Sequence, residues 1–376
     1  MSAKKATSKK TATSKNKSIL TKDSINFFEE LINTPSPTGF EYTGQKVWLD
    51  YIKKYTDEYY VDNYGTAVAI INPGSDYKVV IEAHCDEISW FVMYIDDKGF
   101  IYVTRNGGSD HMIAPSKRVI IHTDEHGPVK AVFGWPAIHT RSKGKDPAPS
   151  MDKIFLDCGA TSKEEAQKLG INVGDVITYE DKFYTLNDRY YGGRALDNRA
   201  GGFMIAQVAR LLKEKKQKLP FSLYIVNSVQ EEIGLKGAHM IAHHIKPDVA
   251  IVTDVCHDTT TPMIDMKKEG KTVCGEGPVL SVGPAVHNNL LKLIKDTAKK
   301  KKIDFQRMAA SYFTGTDTDA FAYSNEGVPS ALISLPLRYM HTTVEMAHRD
   351  DIEGAINLIY ESVLAIQKGQ DFRYIK

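Results

Sequence analysis

The chain has 376 residues, 42% hydrophobic and 25% charged, values of a folded globular protein with ample core and not of a fibrous or low-complexity chain. Its net charge is +1, but residues 1–17 hold six lysines and no acid, which leaves 42 basic against 47 acidic side chains in the rest. A mildly acidic body excludes the basic footprint of a nucleic-acid binder, and no run approaches the ~18 apolar residues of a membrane span.

Residues 1–17 have neither the apolar segment of a secretory signal nor the Arg-rich amphipathic face of a transit peptide, and read as a disordered, solvated tail. Ser24 precedes Ile25, Phe28, Leu31 and Ile32 at helical spacing and is the expected cap of a first helix. Thr34-Pro35-Ser36-Pro37-Thr38-Gly39 breaks it, and a second helix runs through Trp48, Tyr51 and Ile52. Strands follow near residues 60–61, 67–71 and 78–83.

The texture changes from 90 to 184. Short β-branched and aromatic runs at 100–104, 118–123, 129–135, 154–156 and 175–179 are separated by Gly and Asp turns, with one helix-like piece at 163–169. Such spacing predicts a small β-barrel or sandwich. Strand–helix alternation then resumes with a helix at 200–215, a strand at 221–229, a helix at 237–245, a strand at 249–253, a helix at 289–302, a strand at 330–336 and a last helix at 351–367. The expected architecture is α/β: an α/β/α sandwich around a central mixed sheet, from residues 18–89 and 185–376, with a β-barrel-like domain inserted at 90–184. Cys85, Cys158, Cys256 and Cys274 are far apart and form no C-x-x-C, which suits reduced thiols and a cytoplasmic location.

The chemistry lies where strands end. The 78–83 run meets His84-Cys85-Asp86-Glu87, the 221–229 run meets Glu231-Glu232, the 249–253 run meets Asp254, and the 330–336 run leads to His341; Asp197 opens the helix between the first two. Ligands of open α/β sheets bind beyond the carboxyl ends of the strands. Imidazole and carboxylate donors without thiolate suit zinc, with cobalt or manganese as alternatives. Two histidines with three carboxylates match two divalent ions, since the one positive charge left over is neutralised by a hydroxide; such pairs sit ~3.5–4 Å apart. Asp86 projects to the same side as His84 and can accept the other imidazole N–H. Of Glu231 and Glu232, which diverge on extended chain, one ligates while the other remains free as general base.

The motifs Ala83-His84-Cys85-Asp86-Glu87, Ala195-Leu196-Asp197-Asn198-Arg199, Gln230-Glu231-Glu232-Ile233-Gly234-Leu235-Lys236-Gly237-Ala238, Thr253-Asp254-Val255 and Arg338-Tyr339-Met340-His341, in this order, resemble those of the M42 metallo-aminopeptidases, the glutamyl and tetrahedral aminopeptidase group. Phe155-Leu156-Asp157-Cys158-Gly159-Ala160 and Gly315-Thr316-Asp317 fit the same resemblance. It implies that Asp197 bridges two metals, that His84 and Asp254 complete one and Glu232 and His341 the other. Glu231 is then the general base and Asp86 the partner of His84, with a cis peptide at Asp197–Asn198. It further implies a metal-bridging hydroxide attacking the first peptide carbonyl, peptide substrates, and a homo-oligomer, a dodecamer among the forms, built through the inserted domain. Cys85 and Thr342-Thr343 depart from the family's more usual apolar residue and Ser-Pro, while Glu345 is kept.

Rival functions remain. A carboxypeptidase or deacylase on the same scaffold would need a cation for a substrate carboxylate, and Arg338 is the obvious candidate. An endoglucanase needs two carboxyls facing each other across ~5–9.5 Å, which diverging neighbours supply poorly. A non-catalytic assembly protein has no use for a complete six-residue set. His239 and His243 make a His-x-x-x-His, but Met240 stands where a single-zinc protease has its glutamate. Lys299–Lys302 ends a helix where cations favour the dipole, and Gly192-Gly193 and Gly201-Gly202 lack phosphate-loop spacing. Asp317 and Asp319 either approach the site or shape a turn.

Overall fold

The computed structural model describes residues 18–141 and 148–375; the basic tail, residues 1–17, lies outside them. The chain forms a large mixed sheet and a separate closed barrel. Four parallel strands make the middle of the sheet, in the order Ser222–Ser228, Lys78–His84, Val249–His257 and Ser330–Arg338. Glu58–Val61 and Ala67–Ile71 extend one side antiparallel, and Glu345–His348, Tyr190–Gly193 and Tyr184–Leu186 extend the other. Val279–Val282 and Gln306–Ala309 branch from Ser330–Arg338.

Strands covered on both faces are shielded from water along their length, and the central ones are. Every residue of Val249–His257 is buried except the last, as is every residue of Lys78–His84 except the first. The register sets Ser228 beside His84 and Asp254 beside Ser334, so the polar ends of neighbouring strands fall at one level.

Leu196–Glu214 packs against the Lys78–His84 strand and is buried from Leu196 through Leu212. Gly201 permits that approach: a Cβ there would come within 2.2 Å of Asn198 Oδ1 and 2.9 Å of Ala83 Cβ. Its role is close packing and not phosphate binding. Arg349–Ala365, Lys22–Asn33 and Tyr42–Ile52 pack on the same helix, while Lys236–Ile245 and Asp317–Ala322 pack with each other. The first helix differs from expectation at its start. Thr21 is the cap, its side chain accepting from Ser24 N, and Ser24 is buried inside the first turn with its hydroxyl donating to Gln207 Oε1 at 2.8 Å. An i+3 geometry lets the earlier hydroxyl reach the free N–H.

Six antiparallel strands close the barrel: Ser89–Ile95, Ile101–Asn106, Phe155–Asp157, Gly127–Phe133, Arg118–Thr123 and Val176–Tyr179, in that spatial order. It has its own core, with Trp90, Phe133, Leu156 and Ile177 buried, separate from the core of the large sheet. Among the described residues no helix is long and apolar enough to cross a membrane. All four cysteines are free thiols, and Cys158 alone is partly exposed.

Candidate metal centre

His84, Asp197, Glu231, Glu232, Asp254 and His341 line one cleft of about 710 Å³. A larger cleft, about 1050 Å³, lies over the Arg349–Ala365 helix and includes none of them. They arrive from the carboxyl-terminal parts of neighbouring strands, the turns after them and the start of the Leu196–Glu214 helix.

Asp197 is central. Its Oδ1 lies 3.3 Å from His84 Nε2 and its Oδ2 lies 3.3 Å from His341 Nε2, so one carboxylate faces two imidazoles with separate oxygens. Around His84 Nε2 stand Glu231 Oε2 and Asp254 Oδ1, both at 3.8 Å; beside His341 Nε2 stands Glu232 Oε1 at 3.4 Å. Two triads bring one donor atom each close enough to share an ion, His84–Asp197–Glu232 and His84–Glu231–Asp254. The Asp197–Asn198 peptide is cis.

Asp86 stands beside His84, its Oδ1 3.3 Å from Nδ1. The carboxylate also accepts Glu231 N–H at 3.0 Å, Glu232 N–H at 3.2 Å and the Thr38 hydroxyl at 2.9 Å. It therefore fixes the turn that carries both glutamates. Glu41 adds to this from the second helix's start, accepting Gln230 N–H at 3.2 Å; burial and then Asp86 push its carboxyl up to about 7.

The electrostatics are those of a donor set short of positive charge. Burial, then Asp254, Asp317 and Glu232, push Glu231 up to about 10 against the pull of His84. Burial also raises Glu232, and burial together with Asp197 raises Asp254. Burial opposes ionisation of Asp197 as well, but hydrogen bonds from His341 and His84 win and hold it well below the usual range. Burial lowers His341, yet its contacts with Asp197 and Glu232 overcome this and push it up to about 11. Buried carboxylates in such excess are costly unless cations accompany them, and imidazole with carboxylate is the donor chemistry of zinc, cobalt or manganese. The residues fit the group.

Further residues surround the site. Glu345 accepts two main-chain N–H groups, His341 N–H with Oε1 at 2.7 Å and Asp197 N–H with Oε2 at 3.1 Å. Glu82 and Asp317 form a buried acidic layer behind the cleft, where burial and then each other's influence raise Asp317 and burial pushes Glu82 up to about 7. Glu87 sits between Arg194 Nε at 2.9 Å and Arg199 Nη1 at 3.2 Å, all three buried. From the barrel, Gly107 and Gly108 press on the site: a Cβ on Gly108 would lie 2.6 Å from His341 Nδ1, and one on Gly107 3.2 Å from Glu232 Cβ. An isolated acid at a strand start, or a Gly pair in a turn, carries no periodic signal. Asp319 lines the cleft and also shapes a turn, accepting Thr314 N–H at 2.9 Å and Gly315 N–H at 3.0 Å.

His239 and His243 lie on the Lys236–Ile245 helix and enter neither triad. Arg338 donates Nε to Asp258 Oδ2 at 2.7 Å, lies over the Tyr190 ring and does not line the cleft. The cation expected of a carboxypeptidase or deacylase is thus already engaged.

A mixed α/β sheet with an antiparallel barrel brings histidine and carboxylate donors into one cleft, a set that could hold a metal ion. The chain belongs to the M42 glutamyl aminopeptidase family, whose model matches residues 65–358. It is 33% identical to the lysyl aminopeptidase of Pyrococcus furiosus over 349 residues, covering 92% of this chain and 97% of that relative. Among solved structures it is similar to an aminopeptidase from the archaeon Desulfurococcus kamchatkensis (30% identity, TM-score 0.85, 94% of this chain and 99% of that one). It is also similar to the TET1 peptidase of Pyrococcus horikoshii, which can assemble into a tetrahedron or a large octahedral shell (26% identity, TM-score 0.80, 92% and 99%). The chain is accordingly an enzyme, a metal-dependent aminopeptidase.

Proposed function

We propose that the centre is dinuclear and removes N-terminal residues from peptides one at a time. Asp197 carries the reading: its two oxygens face different histidines at equal distance, the arrangement of a bridging ligand. His84 and Asp254 would complete one ion site, Glu232 and His341 the other, with zinc the first choice and cobalt or manganese alternatives. When bound, the ions supply a more acidic water and polarise the scissile carbonyl.

The chain's own residues do the rest. Glu231 takes a proton from the attacking water and delivers it to the leaving amine. Cations among its neighbours would offset the burial and the repulsion that raise this carboxyl, so the base would be held charged. Asp86 and Glu41 fix the backbone of residues 230–232, which sets Glu231 against the carbonyl without using its own side chain. The free amino terminus of the substrate would be held at one of the two ion sites.

The proposal extends to assembly and place. Homo-oligomers, by analogy with the P. horikoshii shell, would be built through the barrel and admit only peptides and unfolded chains, and the location would be cytoplasmic. Glu231→Gln should keep both ions while turnover falls by roughly 10²–10⁴. Loss of an ion in that variant, measured by metal analysis, would reverse the roles given to Glu231 and Glu232. Hydrolysis of an N-acetylated peptide at the rate of its free-amine form would overturn the aminopeptidase mechanism in favour of a deacylase-like one.

A further inference from the structure

Asp197 and His341 come from distant parts of the chain, and local backbone preference places neither. Ala195, leading into Asp197, has φ +57°; Tyr339 and His341 itself have φ +60° and +61°. Residues with a Cβ seldom occupy that region, so both turns need something beyond their own sequence to hold them. His341 needs it most. Its side chain is 34% exposed, against 2% for His84, which is gripped within the sheet.

Glu345 meets the need with one carboxylate, accepting His341 N–H at 2.7 Å and Asp197 N–H at 3.1 Å. It is itself immobilised. It begins the Glu345–His348 strand, pairs in register with Gly193 just before the Arg194–Leu196 approach to Asp197, and is 2% exposed. A rigid acceptor joined to two N–H groups fixes the distance between the turns that bear them. Both oxygens are engaged by backbone donors and the side chain is buried outside the main cleft, which suits a positioning task.

We propose that Glu345 is a positioning residue that sets the separation of Asp197 from His341 and thereby governs the affinity of the second ion site, the one assigned to Glu232 and His341. The inference rests on the two-ion reading above. Partners that orient ligands weaken metal binding about 10–100-fold when altered, and here one group orients two ligands at once.

Glu345→Gln tests it with little change of shape: one oxygen still accepts, while the new NH₂ faces the other N–H donor to donor. The full-length chain is stripped with a chelator and titrated with Co²⁺ by equilibrium dialysis, following visible absorption. Wild type should take up two ions. Glu345→Gln should bind the first as wild type does and the second about 10–100-fold more weakly, with the spectrum of the second equivalent altered. Its kcat should recover at saturating Co²⁺, and its stripped form should unfold at a temperature close to that of stripped wild type. Glu345→Asp, which keeps the charge on a shorter arm, should fall between the two. A second ion bound with wild-type affinity overturns the inference, as does equal weakening of both ions in step with a lowered unfolding temperature. A wild-type chain that takes up one ion overturns the two-ion reading and this inference with it; two-ion wild type with an indifferent Glu345→Gln overturns the inference alone.

Discussion

The central sheet and the barrel are both β structure with closed cores, yet they treat polar residues in opposite ways. In Lys78–His84 and Val249–His257 burial is nearly continuous, and the polar side chains there cluster toward the carboxyl-terminal part of each strand. In Arg118–Thr123 and Gly127–Phe133 burial alternates, and every second residue is free to be polar. A histidine or acid that ends a central strand therefore stands out, whereas the same residue in the barrel is ordinary surface. The chemistry sits in the region where polarity is scarce.

The largest test of this division is Trp90→Ala, which empties the barrel core. It should cost about 3–5 kcal/mol of stability in calorimetry, while ion uptake at saturation stays at the wild-type number because the ligands hang from the other sheet. Loss of an ion would mean that the barrel holds the site together. Gly108→Ala sharpens the comparison at the point where the two regions meet. A Cβ 2.6 Å from His341 Nδ1 forces the ring or the loop to move, and the overpacking should cost about 1–3 kcal/mol. The displacement should fall on the His341 ion site, read by dialysis, with the other site unaffected.

The smallest expected effect concerns the Arg338–Asp258 pair. Opposed by burial, hydrogen bonds from Thr260 and Arg338 hold the Asp258 carboxyl down at about 2. A depressed carboxyl contributes stability above the unfolded value near 4 and loses it as pH falls through about 2. Because Arg338 is partly open to solvent, the contribution is about 1–2 kcal/mol after screening. Asp258→Asn should flatten the stability curve between pH 4 and pH 2 and leave it unchanged in slope at neutral pH.

Much of the site was legible because strand ends and helix starts concentrate it: the six metal-centre candidates line one cleft. The rest was hidden by the kind of contact involved. The spacing of Asp86 from His84 was legible, but not that its carboxylate also binds backbone N–H groups of residues 231 and 232, because main-chain donors carry no residue signature. Glu41 escaped notice for the same reason, and so did the two N–H contacts of Glu345. In the fold, Val279–Val282, Gln306–Ala309 and Glu345–His348 are four-residue strands too short to show a period. The helix expected from residue 200 starts at Leu196, with non-helical backbone at Asp197 and Asn198; a turn that presents a ligand cannot also follow helical spacing.

Gly107 and Gly108 are the two barrel residues that would crowd Glu232 and His341 if they carried side chains. At these two positions, then, the barrel meets the ligands through bare main chain. Substitutions on the barrel surface remote from the cleft would leave these two approaches untouched, so that surface could acquire new contacts or change the form of an assembly. A saturation scan of residues 90–184 scored by peptide hydrolysis should show broad tolerance at exposed positions, broken by a narrow intolerant notch at 107 and 108.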